Sequence, residues 1–180
     1  MARGAFQRAN FALARAAAEA FLGELDEGAV RRAAAEVSVP GRMQVVAERP
    51  LTVLDGAHNP AGAQAVADAL PELLDGRRAV GVMGVLDDKD AAGMLKALLP
   101  LFDHVVFTRS SNPRSLSPGT LESLASKLDG PASETVGDPP AALARAQELA
   151  GPDGSVLATG SIYLIADLVR VERAARASTL

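Results

Sequence analysis

The feature that most constrains the fold is an alternation of strand-like and helix-like segments that begins after Pro40. Short apolar runs are separated by longer segments in which apolar residues recur every three or four positions. The run at 79–85 is apolar throughout, which is typical of a strand buried on both faces. The pattern predicts a three-layer α/β fold: an open, mostly parallel sheet with right-handed crossovers and helices on both faces.

The same pattern places the individual elements. Strands are predicted at 43–47, 51–54, 79–85, 104–108, 131–136 and 155–159, and helices at 60–74, 87–99, 117–128, 140–150 and 162–175. Asn59 followed by Pro60 is a clear start signal, because asparagine caps helices and proline suits the first helical position. Ligands bind such sheets outside the carboxyl ends of the strands, where the loops are predicted at 55–59, 84–90 and 160–161.

Two helices are predicted before the sheet, at 6–25 and 26–37, the second with Asp26 as its N-cap. The first carries an apolar stripe formed by Phe11, Ala14, Ala18, Phe21 and Leu25. We expect this stripe either to fold back onto the sheet or to pair with another copy of the chain, because large exposed apolar side chains are unfavourable. The segment Val39-Pro40-Gly41 contains residues that interrupt regular secondary structure. We therefore predict a domain boundary there and two domains, 1–39 and 40–180.

Composition excludes several classes of function. The chain has no cysteine, which rules out disulfides, zinc–thiolate sites and thiol catalysis. The net charge of −4 offers no basic face for nucleic acid. No stretch reaches the roughly 18 apolar residues that a membrane span needs, and the N-terminus lacks the apolar run of a signal peptide. We therefore expect a soluble, cytoplasmic protein that binds neither nucleic acid nor membrane.

The segment most informative about function is Thr52–Pro60, in which a strand ends in an acidic residue, turns, and enters a capped helix. A carboxylate at the end of a strand, here Asp55, can accept hydrogen bonds from ribose hydroxyls. The helix start that follows favours an anion, and His58 stands where it could donate to a phosphate. The alternative is that Asp55 only ties down the turn and that His58 is a surface residue.

Two phosphate-binding motifs are missing. No Gly-x-Gly-x-x-Gly fingerprint follows any predicted strand, and the chain contains no Gly-Lys pair, so it has no phosphate loop of the Gly-x-x-x-x-Gly-Lys type. The chain can therefore contact a nucleotide but cannot hold its β- and γ-phosphates in the usual way.

Four segments together resemble the folylpolyglutamate and dihydrofolate synthases of the Mur ligase superfamily. Asp-Gly-Ala-His-Asn-Pro is similar to the family's signature after a strand. The other three are a Pro-Gly-Arg segment between domains, a Gly-x-x-x-Asp-Lys-Asp loop and a Gly-Ser-x-Tyr turn; here they begin at Pro40, Gly84 and Gly160. All four occur in the family's order and at similar spacing.

The N-terminal residues resemble the same family. Gly4–Asn10 is similar to a Gly-x-His-Gln-x-x-Asn helix at the end of the family's central ATPase domain, with Phe6 where a histidine is usual. The resemblance covers almost the whole chain but only the back half or less of a family enzyme. It implies a C-terminal Rossmann-like domain, preceded by two helices of a central domain whose remainder would be a partner of this chain.

The resemblance also implies a reaction and a set of residues. Family enzymes use ATP to phosphorylate a substrate carboxylate, and the acyl phosphate is attacked by the amine of L-glutamate; the acceptor is a folate or dihydropteroate. By this analogy Asp55 holds the ribose, His58 and Arg42 approach the phosphates as catalytic groups, Asn10 reads the adenine edge, and Ser161 helps to seat glutamate. The ligands of Mg²⁺ are expected in the missing N-terminal part.

Each assignment has a simpler alternative. Arg42 can solvate a linker, Asn10 can be a tolerated polar residue on an alanine-rich helix, and Ser161 can cap the last helix. Lys89 can belong to an exposed ion-pair cluster. The polar loop 109–114 can be a solvated turn or can recognise carboxylates of glutamate or folate.

Three functions remain open from the sequence. The first is the C-terminal part of a folate–glutamate ligase, inactive alone for lack of a phosphate loop. The second is a separate nucleotide-binding module or partner subunit derived from such a domain. The third is a Mur ligase acting on cell-wall precursors. The motif Asp-Gly-Ala-His-Asn-Pro argues against this third function.

Overall fold

The computed structural model describes residues 5–37 and 39–177, and the side chains of residues 6–37 and 39–170. Two helices come first, α1 (Ala5–Leu22) and α2 (Glu27–Glu36). The strands are β1 (Gln44–Glu48), β2 (Leu51–Leu54), β3 (Ala79–Met83), β4 (His104–Phe107), β5 (Ala132–Thr135) and β6 (Ser155–Thr159). The later helices are α3 (Pro60–Leu74), α4 (Ala91–Leu98), α5 (Pro118–Lys127), α6 (Pro139–Ala150) and α7 (Ile162–Ala177), with a 3-10 turn at Leu99–Leu101.

The six strands form one sheet in the order β1-β2-β6-β3-β4-β5. β1 is antiparallel to β2, and the other neighbouring pairs are parallel. Side chains alternate between two buried faces: Val53 of β2 packs with α3, α4 and α5, and Leu54 packs with α6 and α7. The predicted fold class, a mostly parallel sheet with helices on both faces, is confirmed.

Several predicted elements agree with the structure to the residue. β2, α3 and β6 have the predicted bounds. Asn59 caps α3, its Oδ1 accepting a hydrogen bond from the Gly62 N–H at 2.7 Å, and Pro60 occupies the first turn. Asp26 caps α2 through the N–H groups of Gly28 and Ala29. Local capping chemistry decides these boundaries, so sequence alone suffices to place them.

The first helix ends at Leu22 rather than at residue 25, where Gly23 takes a positive φ of 81°. Two boundaries near the predicted loop 84–90 were also predicted wrongly. The helix expected at 87–99 begins only at Ala91, because Asp90 caps it and the Asp87 N–H donates to the Arg114 carbonyl of a neighbouring loop. β3 ends at Met83 rather than at residue 85, since the Val85 carbonyl accepts from the Leu116 N–H of the same loop. Both errors have one cause, a contact between segments that lie about 30 residues apart.

The N-terminal helices fold back onto the sheet layer only at their start. Phe6 packs against the core cluster beneath α3, whereas Phe21 is 88% exposed and Leu13 71% exposed. α2 has no buried residue. The expected folding-back therefore holds at the start of α1. Within the predicted stripe Phe11, Ala18 and Leu25 are partly buried, whereas Ala14 and Phe21 are exposed. Among the described residues, no helix has the length and apolar character needed to cross a membrane.

Candidate functional site

The three loops predicted at the carboxyl edge of the sheet are neighbours, because β2, β6 and β3 are adjacent strands. The Gly160 N–H donates to the Ala57 carbonyl at 3.1 Å, and the Gly84 N–H donates to the Thr159 carbonyl at 3.3 Å. The segment before β1 joins them, since the Gly56 N–H donates to the Gly41 carbonyl at 2.7 Å. Residues far apart in sequence thus meet at one edge.

A cavity of about 200 Å³ opens between α1, α3 and this edge. Four of the five predicted site residues line it: Asn10, Arg42, Asp55 and His58. Phe6, Ala57, Asn59, Gly62, Ala65 and Val66 complete its wall. The cavity therefore combines an apolar wall with a small set of polar groups, as small-molecule sites do.

Asp55 is 2% exposed, and both of its carboxylate oxygens are bonded to the backbone. Oδ2 accepts from the Met43 N–H and Oδ1 accepts from the Ala57 N–H, each at 2.8 Å. Burial raises the pKa of Asp55 above its ordinary value, although the two amide bonds and the charges of Arg42 and His58 oppose this. Asp55 thus ties the segment before β1 to the turn after β2, the simpler of its two predicted roles.

This tie fixes the two cationic side chains relative to each other. Arg42 precedes Met43, and His58 follows Ala57, so each lies one residue from an amide that Asp55 holds. Met43 adopts a positive φ of 44°, a conformation that is unusual for a residue with a Cβ. The hydrogen bond to Asp55 helps to stabilise that conformation, because it satisfies an otherwise buried N–H.

The hydrogen bond of His58 decides which of its atoms meets a ligand. Its Nδ1 lies 2.9 Å from the Gly56 carbonyl oxygen, which can only accept, so Nδ1 carries a proton. In the neutral ring Nε2 is then an acceptor that suits a sugar hydroxyl, and it becomes a donor to phosphate only when the ring is doubly protonated. His58 can therefore donate to a phosphate, as the sequence suggested, only when its ring is doubly protonated.

Arg42 lies over the turn, where one of its guanidinium nitrogens would be 3.0 Å from a Cβ placed on Gly56. Among the side chains of residues 6–37 and 39–170, no carboxylate lies within 4.0 Å of the guanidinium. A half-buried guanidinium without an ion-pair partner at a cavity is a ready ligand for phosphate oxygens. Because residue 56 is a glycine, the Arg42 guanidinium can occupy the space that a side chain at that position would fill.

Ser161 is the predicted site residue that lies elsewhere. It is 2% exposed and does not line the cavity, and its Oγ accepts from the Tyr163 N–H at 3.2 Å at the start of α7. This is the capping arrangement given above as the simpler alternative. Gly160 before it has a φ of 107°, so this turn needs glycine.

The polar loop 109–114 is held by contacts within the protein. Asp167 of α7 accepts from both the N–H and the Oγ of Ser111, at 2.7 and 2.9 Å. Asp88 pairs with Arg114 at 3.3 Å and with Lys89 at 3.1 Å, which is the predicted exposed ion-pair cluster. These contacts hold Ser111 and Arg114 in place, whereas Arg109 is exposed and lines a second cavity with Asp167.

Sequence reasoning gave no role to Gln7, which the structure buries at 8% exposed. Its Oε1 accepts from Nδ2 of Asn10 at 3.2 Å, a pairing of residues three apart on one helix face. The spacing was visible in the sequence, but the depth of Gln7 depends on how α1 packs on α3. Among the described residues, no group of three or more His, Asp or Glu side chains could hold a metal ion.

Comparison with known proteins agrees with this geometry. Residues 41–162 match the family described as "Mur ligase, glutamate ligase domain". The chain belongs to this family. The matched residues include the sheet and the whole turn from Asp55 to Pro60, so the family assignment and the cavity depend on the same part of the fold.

Curated relatives of the domain include enzymes of folate synthesis and an enzyme of cell-wall synthesis. The dihydrofolate synthase/folylpolyglutamate synthase of Mycobacterium tuberculosis is 44% identical over 133 residues, which cover 71% of this chain and 27% of the relative. The Escherichia coli protein of the same description is 34% identical, covering 93% of this chain and 38% of its own length. A cell-wall enzyme, the UDP-N-acetylmuramoyl-L-alanyl-D-glutamate–2,6-diaminopimelate ligase of Corynebacterium efficiens, is 36% identical, covering 92% and 34%.

Solved structures share the fold of the domain. Mycobacterium tuberculosis folylpolyglutamate synthase, complexed with ADP and AMPPCP, superposes with a TM-score of 0.86 at 39% identity, covering 94% of this chain and 40% of that protein. The E. coli FolC structure with DHPP and ADP gives a TM-score of 0.84 at 30% identity. The chain thus spans at most two fifths of the length of these relatives.

Proposed function

We propose that this chain is the nucleotide-closing part of an ATP-dependent ligase that adds L-glutamate to a folate or to dihydropteroate. The observation that carries the proposal is the convergence of Arg42, His58 and Asn10 on one cavity at the carboxyl edge of the sheet. The M. tuberculosis and E. coli folylpolyglutamate synthases, which share this fold, have structures with adenine nucleotides.

The residues present fit a nucleotide in three respects. Arg42 offers its half-buried guanidinium to phosphate oxygens, and the start of α3 provides backbone N–H groups beside it. His58 presents Nε2 to a hydroxyl or, when doubly protonated, to a phosphate. Phe6, Ala65 and Val66 give an apolar wall on which a base can lie. Asp55 contributes by holding these groups in place.

The part of the chain that the structure describes has no cluster of side chains that fits a magnesium ion. ATP, when bound, supplies the phosphoryl group that activates the substrate carboxylate as an acyl phosphate. The part played by this chain is to orient the phosphates with Arg42 and to neutralise charge that develops on them. The phosphate loop and the metal ligands would come from the rest of a longer protein, and the isolated chain is proposed to be inactive.

Nucleotide binding tests the proposal directly. In a calorimetric titration with AMPPCP, Arg42→Ala should weaken binding about 10- to 100-fold, because a charge-assisted hydrogen bond contributes about 1.5–3 kcal/mol. Arg78→Ala is the matched control. Arg78 is exposed and lies just before β3, at the amino ends of the parallel strands and away from the cavity. Its loss should change the affinity for AMPPCP by less than about twofold. Equal losses in both variants, or no binding by the wild type, would contradict the proposal.

Glutamate addition to folates by the isolated chain would show that the proposed inactivity is wrong. A second candidate, an amino-acid ligase of cell-wall synthesis, is favoured by the 36% identity to the diaminopimelate ligase. A chimera in which this chain replaces the corresponding part of the E. coli relative separates the two. Glutamylation of dihydropteroate supports the folate branch, and incorporation of diaminopimelate supports the other.

A further inference from the structure

The second cavity, which Arg109 and Asp167 line, has a volume of about 490 Å³ and opens where β4 and β5 end. Its walls come from the loop after β4, the start of α6 and α7, and it shares no residue with the nucleotide cavity. The strand order β2-β6-β3-β4 places three strand spacings, about 14 Å, between the ends of β2 and β4. The second cavity is therefore a separate space at the edge where such sheets bind ligands.

Two guanidinium groups line the second cavity. Arg109 is exposed, and no carboxylate lies within 4.0 Å of it among the side chains that the structure describes. Arg170 is also exposed, and its Nη1 lies 3.9 Å from a carboxylate oxygen of Asp167, at the outer limit of an ion pair. A guanidinium has five N–H donors in a planar fork that matches a carboxylate. Both arginines therefore keep donors available to a ligand.

The two acidic side chains of the second cavity already hold parts of the protein. Asp167 accepts hydrogen bonds from the N–H and the Oγ of Ser111, and Asp138 caps α6 by accepting from the Ala141 N–H at 3.0 Å. An ionised carboxylate has about four lone-pair positions, so each aspartate can accept further hydrogen bonds. A ligand in this cavity meets donors on the arginines and acceptors on the aspartates.

This mixture of charges does not suit a phosphate. The first two positions of α6 are Pro139 and Pro140, which have no N–H, and the next N–H is bonded to Asp138. The start of α6 therefore lacks the free donors on which anion sites at helix N-termini depend. A fully ionised phosphate only accepts hydrogen bonds, so it would also face the two aspartates without a donor. The cavity instead requires a ligand that carries both carboxylates and N–H groups.

We propose that the second cavity binds an amide-linked chain of glutamates, the tail that repeated turns of the proposed reaction build on the acceptor. The inference rests on the proposed function and adds a site for its product. Each glutamate in such a chain keeps one free carboxylate, which pairs with the arginines, and one amide N–H, which donates to the aspartates. Pro139 and Pro140 give an apolar wall for the methylene groups. The volume is that of a site for a drug-sized ligand, larger than a single amino acid.

Calorimetric titration with N-acetylated triglutamate, in its α-linked and γ-linked forms, tests the site. At least one linkage should bind to the wild type, at least about tenfold more tightly than L-glutamate or inorganic phosphate. Arg109→Gln removes one positive charge from an exposed side chain and should weaken triglutamate binding about tenfold or more, because a charge-assisted pair is lost. An affinity for L-glutamate or phosphate equal to that for triglutamate would overturn the assignment of the ligand.

Arg145→Gln is the matched control, because it also removes one positive charge from an exposed arginine. Arg145 lies on α6, pairs with Glu134 and Glu148, and does not line the second cavity. Its loss should change triglutamate affinity less than about twofold. Circular dichroism checks that both variants are folded.

A second measurement locates the ligand. In NMR spectra, triglutamate should shift the backbone amide signals of Ser111 and Gly137, at the second cavity, and leave that of Gly62, at the nucleotide cavity, in place. The reverse pattern would mean that the chain of glutamates binds in the nucleotide cavity, and it would overturn the inference.

The outcomes separate this inference from the proposed function. Weaker triglutamate binding in Arg109→Gln with unchanged AMPPCP binding supports the inference, because Arg109 does not line the nucleotide cavity. Equal weakening in Arg109→Gln and Arg145→Gln would show a general effect of charge and overturns it. Absence of triglutamate binding by a wild type that binds AMPPCP overturns this inference alone. Triglutamate binding through Arg109 without AMPPCP binding overturns the proposed function alone.

Discussion

Replacement of Asp55 by alanine should destabilise the protein more than the loss of any exposed carboxylate. The substitution leaves the N–H groups of Met43 and Ala57 without their acceptors inside the protein. Each buried group left unpaired costs about 1–3 kcal/mol, so the free energy of unfolding should fall by about 2–6 kcal/mol. Domains of this kind are stabilised by about 5–15 kcal/mol, so the loss is a large share of the total.

Urea denaturation at pH 7, followed by circular dichroism, measures this loss. Asp103→Ala is a suitable control, because exposed Asp103 accepts a single backbone hydrogen bond, from the Ala79 N–H at 2.9 Å, and should cost only about 0.5–1.5 kcal/mol. Asp55→Asn keeps one acceptor and should lie between Asp55→Ala and the wild type. If Asp55→Ala costs no more than Asp103→Ala, the carboxylate does not hold the two segments together.

The pKa of Asp55 gives the same prediction a pH dependence. Burial raises this pKa above the ordinary value of 3.8, so the folded state keeps the proton to higher pH than the unfolded chain does. Proton binding by Asp55 therefore adds to the free energy of unfolding below pH 3.8, and this added part, separate from the hydrogen bonds to Met43 and Ala57, is lost as the pH rises through the raised pKa. The advantage of the wild type over Asp55→Asn should therefore shrink as the pH rises from below 3.8 through the raised pKa, and an advantage that grows would refute the reasoning.

Two further predictions concern Gly160, in the loop after β6, and the exposed side chain of Phe21. Gly160→Ala should destabilise the protein by about 1–3 kcal/mol in thermal denaturation, because φ is 107° there and a Cβ would lie 2.6 Å from a carbonyl oxygen. Gly119→Ala, in open space on α5, should be neutral or stabilising, and equal losses would contradict the explanation. Phe21→Ser should change stability by less than about 0.5 kcal/mol but reduce any self-association in sedimentation experiments, whereas Leu70→Ser should destabilise strongly. Unchanged association would exclude pairing through Phe21.

Much of the fold was predictable because it depends on local chemistry. The Asn59-Pro60 start of α3 and the Asp26 cap of α2 are signals contained in a few consecutive residues. The apolar run at 79–85 predicted a strand buried on both faces, and every residue of β3 is buried. The helix start at residue 87 was wrong because a loop about 30 residues further on competes for the same backbone groups.

The site was predictable in its members but less so in their arrangement. The turn Asp55–Pro60 and the Pro-Gly-Arg segment identified Arg42, Asp55 and His58, and these residues do line one cavity with Asn10. The sequence could not show that both carboxylate oxygens of Asp55 accept hydrogen bonds from backbone amides, because one of those amides belongs to Met43, 12 residues away. Nor could it show that Ser161 faces α7 rather than the cavity.

The sequence by itself determined the class of fold, the helix caps and the residue types available for phosphate and base, because each depends on neighbours in the chain. Only the tertiary structure decided how those residues act. The depth of Gln7 depends on the packing of α1 on α3, and the tie made by Asp55 depends on the N–H of Met43, 12 residues away, reaching the end of β2. The pairing of β1 with β2 brings those two segments together, and no local pattern specifies it.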